Sequence, residues 1–245
     1  MTVELHAVTG MPEIKPGDNL AALMSSGAQT LQSGDVVVVA QKVVSKAEGR
    51  LVNLSSVNVS SRAQDLADSL GADPRLVQVI LGESVRIVRQ DRVLIVETRH
   101  GFVCANAGVD QSNLPGEEVV SLLPLDCDRS AQDLRNRIAA LTGVDVAVII
   151  SDTFGRPWRL GLTNVALGLA GMPALIDHRG LRDDFDVPMR STVVAIADEI
   201  AAAAGLIMGK SRRIPAVIVR GLDPTDAGQG AGHDLIRPPA FDLFR

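Results

Sequence analysis

Apolar residues in this chain gather in short unbroken runs more often than in strict alternation. Residues 36–41 (VVVVAQ), 147–151 (AVIIS) and 216–220 (AVIVR) are the clearest. Runs of this length, bounded by Gly, Asp and Ser, predict strands buried on both faces. Residues 3–8 predict a further strand, after which a Pro/Gly turn over 12–17 leads into a helix from about 19 to 32, with Asp18 as its N-cap and Ser33-Gly34-Asp35 as its end. Residues 53–61 are polar and read as a loop before helices at 62–70 and 74–82. Residues 94–97 and 102–105 then read as a hairpin around Arg99-His100-Gly101.

In the second half, 131–141 reads as a helix, and the Ala/Gly-rich stretch 160–169 as a helix whose small residues permit close packing. Residues 192–197 read as a strand and 198–208 as a helix. The charged segment 177–188 reads as a loop, and 221–232, rich in Gly, Asp, Thr and Pro, as a mobile loop able to close over a substrate. Helices and strands follow one another without a βαβ rhythm and without an internal repeat. The pattern predicts an α+β fold of mixed sheets with packed helices, arranged as two interleaved lobes within one module spanning 1–245.

Composition narrows the functional classes. A formal net charge of -5 argues against a nucleic-acid binder, which needs a basic face for phosphate contacts. The apolar runs are too short for a bilayer, and the N-terminus lacks a basic region followed by a long apolar stretch, so neither a membrane span nor a secretory signal is expected. Cys104 and Cys127 are the only cysteines and lack paired spacing, which suits a reducing, cytoplasmic setting. Cys104 reads as a packing residue. With aromatics at 2% and no Tyr, the core must be aliphatic. Trp158 reads as a hydrophobic plug, with stacking on a ligand as the alternative.

Two strand-to-loop junctions carry candidate chemistry. TRHGFVCANAGVDQSN delivers Asp110, Ser112 and Asn113, and DVAVIISDTFGRPWRLG delivers Asp152, Thr153, Arg156 and Arg159. Either Asp alone reads as a helix cap or turn residue. Together, with arginines beside one of them, they point to a divalent cation held by hard oxygens and to a bound anion. Gly209-Lys210-Ser211 is not a phosphate loop. Only three residues separate Gly205 from Gly209, and the segment leaves a helix where the motif would enter one. The chain is therefore expected to be neither a P-loop nor a Rossmann fold. Lys210 remains a candidate phosphate contact, the alternative being a lysine favoured by a helix C-terminus. Glu48 reads as an ion-pair partner of Lys46 or Arg50, and His100 as an ordinary turn residue. No nucleophile with an adjacent base is visible.

Several separated motifs in a fixed order resemble the coenzyme F420:L-glutamate ligase family. They are Gly10-Met11-Pro12-Glu13, GDVVVVAQKVVSKAEGR, TRHGFVCANAGVDQSN, SDTFGRPWR, ADEIAAAAGLIMGK and IPAVIVRG. The resemblance implies a GDP-forming reaction in which GTP activates a carboxylate of the deazaflavin precursor F420-0 as an acyl phosphate, which L-glutamate then captures. It implies Mg²⁺ or Mn²⁺, with K⁺ as a further cation, and a homodimer. Asp110, Asp152 and Thr153 match the metal-binding positions. Met11, Pro12, Glu13, Ile14, Gln41, Lys46, Asn113, Met208, Gly209 and Lys210 match nucleotide-contacting ones. Arg156 and Arg159 are expected to orient phosphate or carboxylate groups. One departure stands out, since Lys210 occupies a position where archaeal relatives carry a Gln that helps bind a second metal. An ammonium has no lone pair to offer such an ion. Two other readings remain: a nucleotide-responsive binding protein, or a ligase module of a longer protein fused to a flavin-binding domain.

Overall fold

The valine run forms β2 (Val36–Ala40), and the chain surrounds it on every side. The structure is a computed structural model that describes residues 2–26, 30–222 and 228–242. In it β2 lies at the centre of a five-stranded sheet, flanked by β12 (Ala216–Arg220) and β8 (Ala147–Arg156), with β1 (Glu4–Val8) and β9 (Arg159–Ala170) at the edges. β2 and β8 run parallel, in the register Val36 to Ala147 through Ala40 to Ser151, and the other neighbours are antiparallel. Val37 and Val39 pack under α1 (Leu20–Ser25) and α5 (Cys127–Thr142), while Val36 and Val38 pack under α6 (Ile196–Met208). A central strand covered on both faces has no position for a polar residue, so its run is unbroken.

After β2 the chain turns at once into α2 (Gln41–Ala47) and then leaves the sheet. A short ribbon pairs β3 (Leu51–Asn53) with β7 (Val119–Ser121). Between them lie α3 (Ser61–Leu70), α4 (Pro74–Gly82) and the three-stranded sheet of β4 (Ser84–Gln90), β5 (Leu94–Thr98) and β6 (Val103–Ala105). These elements enclose their own apolar clusters, one around Ala67, Ile80 and Val96, another around Leu54 and Val120. Ser60, Asp73 and Asp126 cap α3, α4 and α5 through side-chain oxygens, the usual polar start of a helix. The architecture is α+β with several mixed sheets, as expected.

The largest departure from expectation is at 160–169, where a strand replaces the anticipated helix. β9 pairs with β8 from Val148–Ala170 out to Arg156–Arg159, so tertiary pairing overrides the local preference of Ala and Leu. Small residues do serve close packing there, but of a helix on a sheet. A Cβ on Gly168 would lie 2.2 Å from the Cys127 carbonyl carbon and 2.4 Å from its oxygen, so the first turn of α5 rests on bare backbone. Asp128 fastens the joint, its Oδ1 accepting the N–H groups of Leu169 (2.9 Å) and Gly232 (2.6 Å).

Other boundaries move less. α1 covers only Leu20–Ser25, capped by Asn19, while Asp18 instead accepts the Lys15 N–H. β4 was not anticipated. The strand expected over 192–197 shrinks to β11 (Val193–Val194), paired with β10 (Ile176–Asp177), because α6 already starts at Ile196. In the expected 221–232 loop, residues 223–227 fall outside those described.

Candidate active site

Ala40 pairs with Ser151, so α2 and the residues after Ser151 emerge side by side at the carboxyl ends of the one parallel pair seen among the described residues. Ligand sites in sheet proteins favour this position, since adjacent strands deliver separate loops to one crevice. Asp152 and Thr153 continue β8 beyond the core, and α2 presents Lys42 and Lys46, four residues apart and thus on one helical face.

Asp110 arrives from the other side. It follows a turn in which Asn106, Ala107 and Gly108 all have positive φ, and it bridges to Ser121 through both backbone groups. A Cβ on Gly108 would meet Leu123 at 2.8 Å, which reserves this left-handed position for glycine. The Asp110 carboxylate accepts hydrogen bonds from Lys42 Nζ (2.5 Å) and from the Ser112 N–H (2.7 Å), and Lys42 also donates to Ser112 Oγ (2.6 Å). Burial alone would raise its pKa, but Lys42 and Ser112 outweigh burial and hold it below the ordinary range.

Asp152 behaves oppositely. Burial, with the Asp110 charge adding to it, pushes the Asp152 carboxyl up to about 6, against the Thr153 N–H and the charges of Lys210 and Lys42. Thr153 Oγ1 accepts a 2.5 Å hydrogen bond from Lys210 Nζ and donates to Asn164 Oδ1 at 3.1 Å. Lys210 lies just beyond α6, whose end brings it to the β8 edge. Lys46 Nζ is buried and donates to Glu13 (2.5 Å) and to the Asn113 carbonyl (2.6 Å).

An open cleft of about 230 Å³ takes in the three lysines, and Asp110 and Thr153 reach it through their bonds to Lys42 and Lys210. Met11, Pro12, Glu13 and Ile14 form one wall, Met208, Gly209 and Lys210 another, with Lys42, Lys46 and Asn113 between them. Gln41 is not in its lining, being buried with its side-chain oxygen accepting from Ser45 Oγ (2.9 Å). Arg156 and Arg159 are not brought to the carboxylates. They pair across the exposed tip of the β8–β9 hairpin, and four residues of extended strand carry Arg156 about 13 Å beyond Asp152. Trp158, at that tip, is 83% exposed and so is no plug. Glu48 pairs with neither Lys46 nor Arg50 but accepts from Ser130 Oγ, while Arg50 binds Glu83. His100 Nε2 contacts the Pro124 carbonyl at 2.8 Å, and Cys104 is buried, both as expected.

The sequence pattern of the F420-0:Gamma-glutamyl ligase family matches residues 9–221. The chain belongs to this family. Among curated relatives, the coenzyme F420:L-glutamate ligase of Methanopyrus kandleri is 47% identical over 249 residues, covering 100% of this chain and 98% of its own. That of Methanothermobacter thermautotrophicus is 44% identical over 100% of both chains, and that of Archaeoglobus fulgidus 44% over 100% and 97%.

The donor set of this family member fits a substrate-sharing divalent ion better than a closed structural metal. Among the described residues no group of three or more His, Cys, Asp or Glu side chains is placed to hold a metal ion by itself. Asp110, Asp152 and Thr153 offer hard oxygens only, and Mg²⁺-type ions commonly take one or two protein carboxylates and fill the rest of their shell with water and phosphate oxygens. The raised pKa of Asp152 is the mark of a buried carboxylate whose charge is incompletely compensated, which a cation would correct. Lys42 is the site residue that sequence reasoning passed over. Its signal was the i, i+4 spacing with Lys46 directly after a buried strand, visible only once α2 is recognised as a helix.

Proposed function

We propose that this protein is a GTP-dependent, GDP-forming ligase that joins L-glutamate to the deazaflavin coenzyme precursor F420-0 in coenzyme F420 biosynthesis. The observation that carries the reading is the convergence of Lys42, Lys46 and Lys210 on one cleft, with Lys42 bonded to Asp110 and Lys210 to Thr153, the neighbour of Asp152, in a chain whose full-length relatives are named coenzyme F420:L-glutamate ligase.

The lysines neutralise the triphosphate and the charge that shifts during phosphoryl transfer. The F420-0 carboxylate attacks the γ-phosphorus, the bond to the β-bridging oxygen breaks, and GDP leaves with that electron pair. The glutamate α-amine then attacks the acyl carbon, phosphate departs, and the nitrogen loses a proton to form the amide. Asp110, Asp152 and Thr153 would hold Mg²⁺ or Mn²⁺, which would supply charge neutralisation on the phosphate oxygens. Lys46 is fixed by Glu13 and the Asn113 carbonyl, so its charge is positioned before substrate arrives. No protein nucleophile takes part. The two thiols are buried, which pushes Cys104 up to about 12 and Cys127 higher still, leaving both protonated at neutral pH.

The hairpin tip supports a homodimer. Trp158, Leu160 (98% exposed) and Leu162 form an apolar projection, and a second copy of the chain is its natural cover. Sedimentation is expected to give twice the chain mass, and a monomer at micromolar concentration would refute the pairing.

Mass spectrometry of F420-0 incubated with the protein, L-glutamate, GTP and Mn²⁺ tests the activity. Addition of one or more glutamyl residues is expected only in the complete mixture. GTP binding with no glutamyl product, from folded and metal-supplied protein, would leave a nucleotide-responsive binding protein.

A further inference from the structure

The strand pair that carries Asp152 also lines a second cavity with the opposite character. Directly across β9 from Asp152 is Val165, and the next residue of β8 on the same face is Phe154. Both line a pocket of about 300 Å³, closed by Phe102, Leu167, Leu235 and Ile236. Two residues of strand span about 7 Å, so Phe154 in the pocket wall follows Asp152 by about that distance along the backbone.

Aromatic side chains are scarce here, with five Phe, one Trp and no Tyr in 245 residues. Two of those Phe, Phe102 and Phe154, meet edge to face at 6.3 Å in this wall, and both stay partly open to it. Edge-to-face pairs present a ring face and a ring edge to whatever lies between them and the opposite wall. Asp198, Asp242 and Arg237 add two acidic groups and one basic group to the lining. Asp198 Oδ1 is held by the Ala166 N–H at 2.8 Å, which fixes the carboxylate in the wall. L-Glutamate, small and charged throughout, has no use for such a surface. A flat heteroaromatic ring with imide N–H and carbonyl groups on its edge matches both the apolar walls and these polar groups.

We propose that this pocket receives the tricyclic deazaflavin ring of the acceptor, so that nucleotide and acceptor approach Asp152 from opposite sides. The lysine cleft takes the triphosphate, and the Phe102/Phe154 pocket takes the ring. The flexible phosphorylated tail of the acceptor bridges the gap and carries its carboxylate to the metal-binding carboxylates. This inference rests on the ligase reading and names where its acceptor binds.

The test is fluorescence titration of F420-0 into wild-type protein, Phe154→Ala and Ile236→Trp, together with GTP binding by calorimetry. A tailless 5-deazaflavin serves as a competing probe. Both variants are expected to bind F420-0 at least about tenfold more weakly, one by losing a ring contact and the other by filling the cavity, with GTP affinity unchanged within about twofold. The tailless ring is expected to compete with F420-0 and not with GTP. Ile236 lies at the half-exposed rim, so its variant decides the matter if Phe154→Ala fails to fold. Wild-type affinity for F420-0 in a folded variant would overturn the pocket assignment while leaving ligation standing. A wild-type protein that neither binds F420-0 nor extends it would overturn the ligase reading itself.

Discussion

Asp152→Asn is expected to abolish glutamyl transfer, by at least about a thousandfold, while making the metal-free protein more resistant to heat. The first effect follows from removing one of two carboxylates at a site where charge stabilisation does most of the catalytic work. The second follows from the carboxyl's environment. Its pKa rises from the ordinary 3.8 to about 6, chiefly through burial. A carboxyl raised in the folded chain binds its proton more tightly there than in the unfolded chain. Stability therefore falls as pH climbs from about 4 to about 6, and the full cost stands at pH 7. The shift corresponds to about 3 kcal/mol at most, and partial access to water reduces that to roughly 1–2 kcal/mol. For a chain of this size the gain amounts to a few degrees in melting temperature. Thermal melts in chelator at pH 7.5 and at pH 4.5 provide the measurement. A gain at the higher pH that vanishes at the lower one is expected, and an Asn variant that melts lower at both would contradict the electrostatic account.

Gly168→Ala is expected to cost more than about 4 kcal/mol and to yield little folded protein. The added carbon would lie 2.2 Å from the Cys127 carbonyl carbon and 2.6 Å from the Asp128 nitrogen, and none of the atoms it meets can rotate away because they are backbone. Relief requires lifting the start of α5 from the sheet, which would also stretch the Asp128 bonds to Leu169 and Gly232. Gly71→Ala is the informative comparison. That residue closes α3 at φ 63° with nothing within 4 Å of a new Cβ, so only the left-handed backbone preference is at stake, about 1 kcal/mol. Urea midpoints of the two variants should differ widely. Similar midpoints would mean that α5 does not rest on Gly168 as described.

What was legible in the sequence follows from what is local. The runs at β2, β8 and β12 announced themselves because a strand covered on both faces leaves no position for polarity. Asp152 was legible as a polar residue ending such a run, and Asp110 as one in the polar loop that follows the 94–105 hairpin. Residues 160–169 were misread because an Ala/Gly-rich stretch has no decisive period, and only the partner β8 and the overlying α5 explain why those residues are small. Arg156 and Arg159 were read as neighbours of Asp152 because they are near it in sequence, but a strand converts sequence separation into the greatest distance a chain can achieve. Lys42 was overlooked for the reverse reason. Its partners Asp110 and Ser112 lie far along the chain, and nothing local signals that the two segments meet.

The pairing of β2 has a consequence for how this protein is made. Val36 lies between Ala147 and Val219, so both neighbours of the central strand are synthesised long after it. On a ribosome that releases the chain from its N-terminus, four consecutive valines emerge with bare edges, and they stay unpaired on one side until residues 216–220 are translated. Such a segment is prone to pair with copies of itself on neighbouring nascent chains. The yield of folded protein is therefore expected to depend on translation speed and chaperone supply, and a chain that stops before residue 216 lacks the strand that separates β2 from β1.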